Sequence, residues 1–138
     1  MPAFNEQIEI RAEKRQAVVN ITADVEDIVA RSGIREGLAL VYPLHTSSAV
    51  FINDSDFSIT EDFLDVARRL VPPGAGYRHD ETNHKKNADG HIKSIITGHH
   101  IVLPVSDGRL HLGTYQTIYY AEYDGGRKKE ILVKIIGE

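Results

Sequence analysis

The sequence predicts an α+β fold in which a largely antiparallel β-sheet carries two to three helices on one face and ends in a β-meander. Three patterns support this prediction. Short β-branched and apolar runs lie near both ends of the chain, two middle segments repeat apolar residues at helical intervals, and Asp-Gly turns separate the last apolar runs. Strands at both ends with helices between them are typical of helices that cover one face of an antiparallel sheet.

The composition is that of one ordinary globular domain, which we expect to span residues 1–138. With 138 residues, 41% of them hydrophobic and 26% charged, the chain is long enough to bury a core and differs from disordered sequences. No apolar run approaches the roughly 20 residues that a membrane helix requires. We therefore expect no membrane partner and a soluble, cytoplasmic protein.

Charge and cysteine content exclude several functional classes. The 16 basic residues are scattered among 20 acidic ones, so we expect no broad positive surface for a nucleic acid. The absence of cysteine excludes disulfides, thiolate nucleophiles and Cys-type zinc sites. Any transition-metal site must therefore use histidine and carboxylate ligands.

The first third of the chain predicts two strands and a helix. Apolar residues alternate after Gln7, and a second β-branched run, VVNI, follows a charged turn, which favours an antiparallel pair of strands. Thr22 and Asp24 suit the start of a helix, and Gly33 suits the position after its end. The apolar face of this helix consists of Val25, Ile28 and Val29.

Two further helices are predicted in the middle of the chain. Ser58 and Glu61 have capping-box spacing, and the apolar repeat that follows them stops at Pro72. A shorter helix begins near Ala88, after a polar segment, and Gly98 would end it.

The remaining apolar runs predict strands. Residues 37–44 and 48–53 resemble buried strands joined by a polar HTS sequence. From residue 100 onward, turns at 106–108 and 124–126 separate β-branched runs, which predicts the hairpins of a meander.

Two histidines are the main candidate site residues. His45 follows an apolar strand, where a rigid scaffold can present an imidazole to a cleft, although a turn histidine bonded to its hydroxyl neighbours is an equal alternative. His91 begins a short helix with Lys93 and Ser94, and such a helix start can hold a phosphate or a metal-bound anion. The alternative for this segment is an exposed amphipathic helix.

Other polar residues give weaker signals. His79 is followed by an aspartate in a ligand-type pair, whereas His84 is flanked by charged residues and is expected on the surface. Gln116 follows a glycine that interrupts a strand, so it either points into a site or marks a β-bulge. Glu122 either supplies a carboxylate to the site or faces solvent.

A structural role is the commoner outcome for the histidines on or beside strands, which are His99, His100 and His111. The residues alone thus indicate a His-rich anion site, and they leave open both its use of a metal and its reaction.

Four segments together resemble the YjbQ family: HTSSAVFIND, LVPPGAGYRHD, GHIKSIITG and the stretch from LPVSDGRLHLGTYQ to the C-terminus. The resemblance implies a YjbQ-like α+β fold, a homotrimer with sites near subunit interfaces, and a weak thiamine-phosphate synthase activity. That activity condenses a pyrimidine diphosphate with a thiazole phosphate, giving thiamine phosphate and pyrophosphate. Small phosphorylated metabolites would be the binding partners, and a divalent metal ion, Mg or Zn, would be the cofactor.

The family motifs assign roles to particular positions. Tyr115 stands in the GT[WY]Q motif where tryptophan is more usual, and this exchange keeps an aromatic face. The implied catalytic residues are His45, His91 and Lys93. The implied metal ligands are His45, His79 and His91. The implied substrate-binding residues are Asn53, Thr114 and Gln116, and we add Ser94 from the helix start and Arg109 as a cation near the meander turn.

The resemblance also implies a mechanism. A cation held by the histidines would neutralise the diphosphate leaving group, while Lys93 and helix N–H groups would bind phosphate oxygens. Two alternatives stay open: a trimeric protein that binds a metal or a phosphorylated metabolite without catalysis, and a hydrolase of a phosphorylated metabolite.

Overall fold

The computed structural model describes residues 1–138 and contains eight strands and four helices. The strands are β1 (Ala3–Arg11), β2 (Ala17–Asn20), β3 (Gly37–Pro43), β4 (Ser48–Asp54), β5 (Ile101–Ser106), β6 (Arg109–Leu110), β7 (Gln116–Glu122) and β8 (Lys128–Gly137). The helices are α1 (Thr22–Ser32), α2 (Ser58–Leu70), α3 (Arg78–Thr82) and α4 (Ala88–Thr97). None of the helices is long and apolar enough to span a membrane.

The strands form two antiparallel sheets rather than one. A five-stranded sheet has the order β1-β8-β3-β5-β6, and a three-stranded sheet has the order β2-β7-β4. Both sheets and α1 contribute to the main core, so the apolar side chains of β7 and β8 pack in the same cluster. The large, fully buried side chains of this cluster include Tyr120, Ile21, Ile118, Ile131, Ile135 and Leu103. The α+β class and the antiparallel pairing are therefore confirmed.

The helices lie in two places. α1 buries Val25, Ile28 and Val29 in the main core. α2 packs on the opposite face of the three-stranded sheet, where the rings of Phe63 and Phe51 lie 5.3 Å apart. α4 contacts β4. Helices thus cover the outer face of the small sheet, and the outer face of the five-stranded sheet has no helix over it.

The predicted C-terminal meander is wrong in its pairing. β5 and β6 form the expected hairpin through Ser106 and Arg109, but β7 lies in the small sheet while β8 pairs with β1 and β3 in the large one. The physical reason is burial: β7 is buried on both faces and β8 buries every second residue, so each strand is central in a different sheet. The segment 124–126 therefore crosses between sheets instead of closing a hairpin.

The predicted pairing of the first two strands is also wrong. β1 pairs with β8, and β2 pairs with β7. The segment between β1 and β2 and the segment between β7 and β8 both cross from one sheet to the other, and they lie side by side. The Gly126 N–H donates to the Ala12 carbonyl at 2.8 Å, and the Gly125 N–H donates to the Arg15 carbonyl at 2.9 Å. A Cβ atom on Gly125 would lie 2.0 Å from the Lys14 carbonyl oxygen, so only glycine fits this crossing.

The three predicted helices are confirmed. α1 ends at Gly33, whose φ of 71° is the left-handed conformation of a helix C-cap. α2 begins as expected, but the Asp56 carboxylate accepts the Ser58 N–H at 3.1 Å in place of the predicted capping box. The one-turn helix α3 was not predicted, because its sequence is almost entirely polar.

Candidate functional site

A cleft of about 400 Å³ lies where β3 leads into β4 and the first turns of α4 approach. β3 ends at Pro43, the chain bends through residues 44–47, and β4 begins at Ser48. The bend carries polar side chains between two buried strands, so these side chains are available to a ligand. The cleft is lined by Tyr42, His45, Thr46, His91, Ser94, Ile95 and His99.

The side chain of His45 extends the pairing between β3 and β8 by one step. The last backbone pair is Pro43 with Ile131, and the Leu44 N–H then donates to the Glu130 carbonyl at 3.0 Å. The Glu130 N–H donates to His45 Nε2 at 2.9 Å. The imidazole nitrogen therefore takes the place of a strand carbonyl, and this hydrogen bond fixes the ring.

The surroundings of His45 favour its neutral form. Burial lowers its pKa below the ordinary value of 6.5, and the positive charge of Lys129 acts in the same direction against the opposing charge of Glu122. Smaller effects come from Arg127, which lowers the pKa, and Glu130, which raises it. Because Nε2 accepts a hydrogen bond, the proton of the neutral ring resides on Nδ1.

His91 has the same tautomer as His45 but leaves the other ring nitrogen unengaged. It lies on the first turns of α4, and its Nδ1 is 3.1 Å from the Thr46 carbonyl oxygen. A carbonyl oxygen only accepts, so Nδ1 carries the proton and Nε2 keeps a lone pair. This arrangement, in which a backbone carbonyl orients the ring, is common for histidines that bind a metal or accept a proton.

His79 lies beside His91, with ring centroids 4.8 Å apart and nearly perpendicular planes. The Asn83 side-chain amide lies 3.2 Å from His79 Nε2, and since an amide nitrogen only donates, Nε2 accepts. The structure thus brings the three predicted metal ligands to one region, with His45 and His91 in the cleft wall and His79 against His91.

Two imidazoles of the same Nδ1–H tautomer therefore line one cleft and leave different ring nitrogens unengaged. His45 offers an Nδ1–H donor, and His91 offers an Nε2 lone pair. Backbone groups of Glu130 and Thr46 set the two tautomers, so neither depends on a flexible side chain. Such a pair suits proton transfer and the recognition of a ligand that both donates and accepts hydrogen bonds.

The metal that the resemblance implies fits this chain only in part. His91 Nε2 has a free lone pair, whereas the acceptor nitrogens of His45 and His79 are already engaged. No group of three or more His, Asp or Glu side chains lies close enough together to hold a metal ion. One imidazole does not make a metal site, so one chain supplies at most part of it.

Lys93 is placed outside the cleft. Its side chain is 1% exposed, and its ammonium donates to Asp89 Oδ2 at 3.0 Å. Arg15 binds the other Asp89 oxygen at 2.6 Å. This ion pair engages the ammonium that was predicted to hold a phosphate.

The first backbone N–H group of α4 already has a hydrogen-bond acceptor within the chain. The Ala88 N–H donates to the Asp80 carboxylate at 3.0 Å, and Asp80 is buried. Ser94 lines the cleft, but its hydroxyl donates to the Ser48 carbonyl at 2.6 Å and so joins α4 to β4. The helix start therefore contributes His91 to the cleft, and its first N–H already has an acceptor.

The other predicted substrate-binding residues lie away from the cleft. Asn53 is at the far end of β4, where the neighbouring Asp54 pairs with Gln116 of β7. Thr114 is exposed in the preceding turn, in which the Gly113 N–H donates to Gln116 Oε1 at 2.8 Å. Arg109 is exposed on β6. Asn53, Thr114 and Gln116 thus form a second polar group, which is named here the β7 turn group.

Sequence reasoning missed four residues that line the cleft, namely Tyr42, Thr46, Ile95 and His99. The rings of Tyr42 and His99 lie 4.6 Å apart, and both line the cleft. An aromatic residue near the end of β3 is a signal that could have indicated Tyr42. Glu130 contributes only its backbone, and no sequence signal marks it.

Comparison with known proteins identifies the family and the fold of this chain. A family model described as "UPF0047 protein YjbQ-like" matches residues 6–138. The chain belongs to the YjbQ-like UPF0047 family. A UPF0047 protein of Archaeoglobus fulgidus is 39% identical over 130 residues, covering 94% of this chain and 99% of the relative. The UPF0047 protein YugU of Bacillus subtilis is 33% identical over 132 residues, covering 94% and 97%.

Two solved structures share the fold. A Sulfolobus solfataricus protein, described as YbjQ-like and of unknown function, superposes with a TM-score of 0.94 at 31% identity and covers 99% of both chains. An Aeropyrum pernix protein described as hypothetical gives a TM-score of 0.92 at 33% identity, covering 98% of this chain and 99% of that one. The descriptions of these proteins state no activity, so the reaction must be argued from the cleft.

Proposed function

We propose that this protein is a transferase that joins a pyrimidine diphosphate to a thiazole phosphate, giving thiamine phosphate and pyrophosphate. The family resemblance supplies the substrates. The observation that carries the catalytic part is the pair of imidazoles in one cleft, of which His45 leaves Nδ1–H unengaged and His91 leaves the Nε2 lone pair unengaged. Both are the catalytic residues in this proposal.

The chemistry requires a leaving group to depart with its electrons. The thiazole nitrogen forms a bond to the methylene carbon of the pyrimidine, and the bond from that carbon to the diphosphate oxygen breaks. His45 Nδ1–H donates to an oxygen of the departing diphosphate, where negative charge develops. His91 Nε2 accepts a hydrogen bond from an N–H or O–H group of the substrate and orients it.

The predicted divalent ion remains part of the proposal, because no lysine or arginine lines the cleft. When bound, an ion of this type would supply positive charge to the phosphates. His91 Nε2 is the atom of this chain that can ligate it, in place of the hydrogen bond from the substrate, and the remaining ligands would come from substrate oxygens and from a neighbouring chain. We expect the metal content of the purified protein, measured by mass spectrometry, to fall in His91→Gln and to stay unchanged in His84→Gln, whose histidine is exposed. Equal metal content in both variants would argue against this ligand.

A homotrimer is proposed as the working assembly. The uncovered face of the five-stranded sheet exposes the apolar side chains of Leu38, Tyr42, Val102 and Ile136. An apolar sheet face of this kind usually packs against another chain. A closed ring of three chains would cover it and would bring one chain's loops to the next chain's cleft. Because phosphorylated substrates stay in the compartment where they are made, the proposal also implies a cytoplasmic location.

The tautomers favour one second candidate, a hydrolase of a phosphorylated metabolite. His91 Nε2 is a suitable base for a water molecule, and His45 Nδ1–H suits a phosphate oxygen. In this case one phosphorylated substrate and water suffice. Release of inorganic phosphate without the thiazole substrate would identify this activity.

The test is a turnover assay on the two substrates with matched histidine variants. We expect His45→Gln and His91→Gln each to lower kcat/KM by about 10²- to 10⁴-fold, the usual contribution of a positioned acid or base. His84→Gln is the control and should keep the wild-type rate. Wild-type rates in both cleft variants would contradict the assignment. Binding of either substrate, seen as a rise in Tm, with no turnover would instead indicate the non-catalytic binding protein.

A further inference from the structure

We infer that Glu122 and Lys129, an ion pair enclosed between the two sheets, are positioning residues that hold His45 in a single tautomer. Neither residue lines the cleft. They act through the backbone of β8, which carries the N–H group that His45 accepts. The inference goes beyond the proposed function, since it concerns the position of a proton and holds for any reaction in the cleft.

The pair is fully enclosed and fully hydrogen-bonded. Both side chains are 0% exposed, and Lys129 Nζ donates to Glu122 Oε2 at 2.7 Å. The same carboxylate accepts the Tyr120 hydroxyl at 3.0 Å and the Asp124 N–H at 3.1 Å. Lys129 Nζ also donates to the Asp124 carbonyl at 3.2 Å. The ion pair thus joins β7, the crossing after it and the first residues of β8.

Stability alone does not account for this pair. Removing two charges from water is costly, and apolar side chains of similar volume often stabilise a core as well or better. Such a pair can instead specify one arrangement of the chain. Here the specified arrangement is the register of β8 against the bend that carries His45.

The connection to His45 is one peptide unit long. The N–H that His45 Nε2 accepts belongs to the peptide that links Lys129 to Glu130. Lys129 is anchored on the core side of β8, so a shift of its side chain would turn this peptide and redirect the N–H. The Glu130 carbonyl, which accepts the Leu44 N–H, would move with it.

A wider hydrogen-bond chain links the same pair to the other side of the cleft. Asn83, which donates to His79, also donates to the Asn87 side chain at 3.2 Å. Asn87 donates to Asp124 Oδ2 at 2.8 Å, and the Asp124 backbone is bound to Glu122 and Lys129. The supports of His79 and His45 therefore meet at Asp124.

The experiment measures the tautomer of His45 directly by NMR of the ring nitrogens. The main variant is the double replacement Glu122→Gln with Lys129→Met, which removes both charges and leaves no lone buried charge. In the wild-type protein His45 should carry its proton on Nδ1. In the double variant we expect the ratio of the Nδ1–H to the Nε2–H form to fall by roughly tenfold, the effect of losing one well-formed hydrogen bond.

Two controls separate positioning from general loosening of the fold. His91 should keep its Nδ1–H tautomer in the double variant, because the Thr46 carbonyl that sets it is elsewhere. The pair Asp89→Asn with Lys93→Met removes an equally buried ion pair and should leave the His45 ratio unchanged. An unchanged ratio in the Glu122 and Lys129 double variant would overturn the inference, as would an equal change caused by the Asp89 and Lys93 replacements.

The single variant Glu122→Gln provides a second measurement with the smallest change in shape. It keeps one acceptor oxygen, for either the Tyr120 hydroxyl or the Asp124 N–H, and removes the charge that holds Lys129. We expect the same direction of change in the tautomer ratio of His45. A wild-type ratio in this variant would also count against the inference, even if the double variant failed to fold.

Discussion

At the scale of single residues, a motif position can serve the fold rather than the chemistry. Lys93 belongs to the HIK segment and was predicted to bind phosphate, but its ammonium is enclosed with Asp89. Burial by itself raises the pKa of Asp89, but hydrogen bonds from Lys93 and Arg15 outweigh it and hold the pKa below the ordinary value of 3.8. Asp89 is therefore ionised in the folded protein and stabilises it through both partners.

This depressed pKa predicts how stability depends on pH. A carboxylate whose pKa is lower in the folded state stabilises the fold above its unfolded pKa, and the contribution is lost as pH falls through the folded value. We expect Asp89→Asn to lower the free energy of unfolding by about 3–5 kcal/mol at pH 7, because it leaves Lys93 buried without its partner. The difference from wild type should persist to about pH 5 and narrow below about pH 4.

Urea unfolding at several pH values measures this difference. Asp27→Asn is the matched control, since Asp27 pairs with Arg31 on an exposed helix face and should contribute no more than about 1 kcal/mol. A difference for Asp89→Asn that stayed constant down to pH 3 would contradict the assigned pKa.

At the scale of elements, local patterns predicted what each segment forms and failed to predict what it pairs with. α1 and its end at Gly33 followed from apolar spacing and one glycine, because both signals are local. β7 and β8 lie in different sheets, and which strands pair depends on which faces of each strand are buried. The turn sequence DGG carries no information on this burial. The predicted meander was wrong for this reason.

The same limit applies to the cleft. His45 was a candidate because a strand ended beside it, and His91 because a helix began there, and both local signals led to cleft residues. The tautomers were not predictable, since a backbone N–H 85 positions away sets that of His45. Glu122 was expected either to join the site or to face solvent, and it does neither.

At the scale of the whole molecule, the predicted site residues fall into two separate groups. His45 lies before the start of β4 and Asn53 near its end, so the cleft and the β7 turn group are roughly 17 Å apart along the strand. One small ligand does not span that distance. If both groups act on one ligand, they must come from different chains, which a ring of identical subunits provides.

Mixed trimers test this arrangement. A chain with His91→Gln keeps its β7 turn group, and a chain with Gln116→Ala keeps its cleft, so each mixed ring of three would contain one interface with both groups intact. Chains mixed in equal amounts and allowed to exchange should recover about a quarter of the wild-type rate, since three quarters of random rings are mixed and each has one intact site in three.

A mixture of His45→Gln with His91→Gln is the control and should stay inactive, because both changes affect the same cleft. Equal recovery in both mixtures, or none in either, would mean that the β7 turn group does not complete a neighbour's site. Recovery in the first mixture alone would mean that the polar turn around Tyr115 faces the cleft of the adjacent subunit, which would account for an exposed aromatic ring at that position.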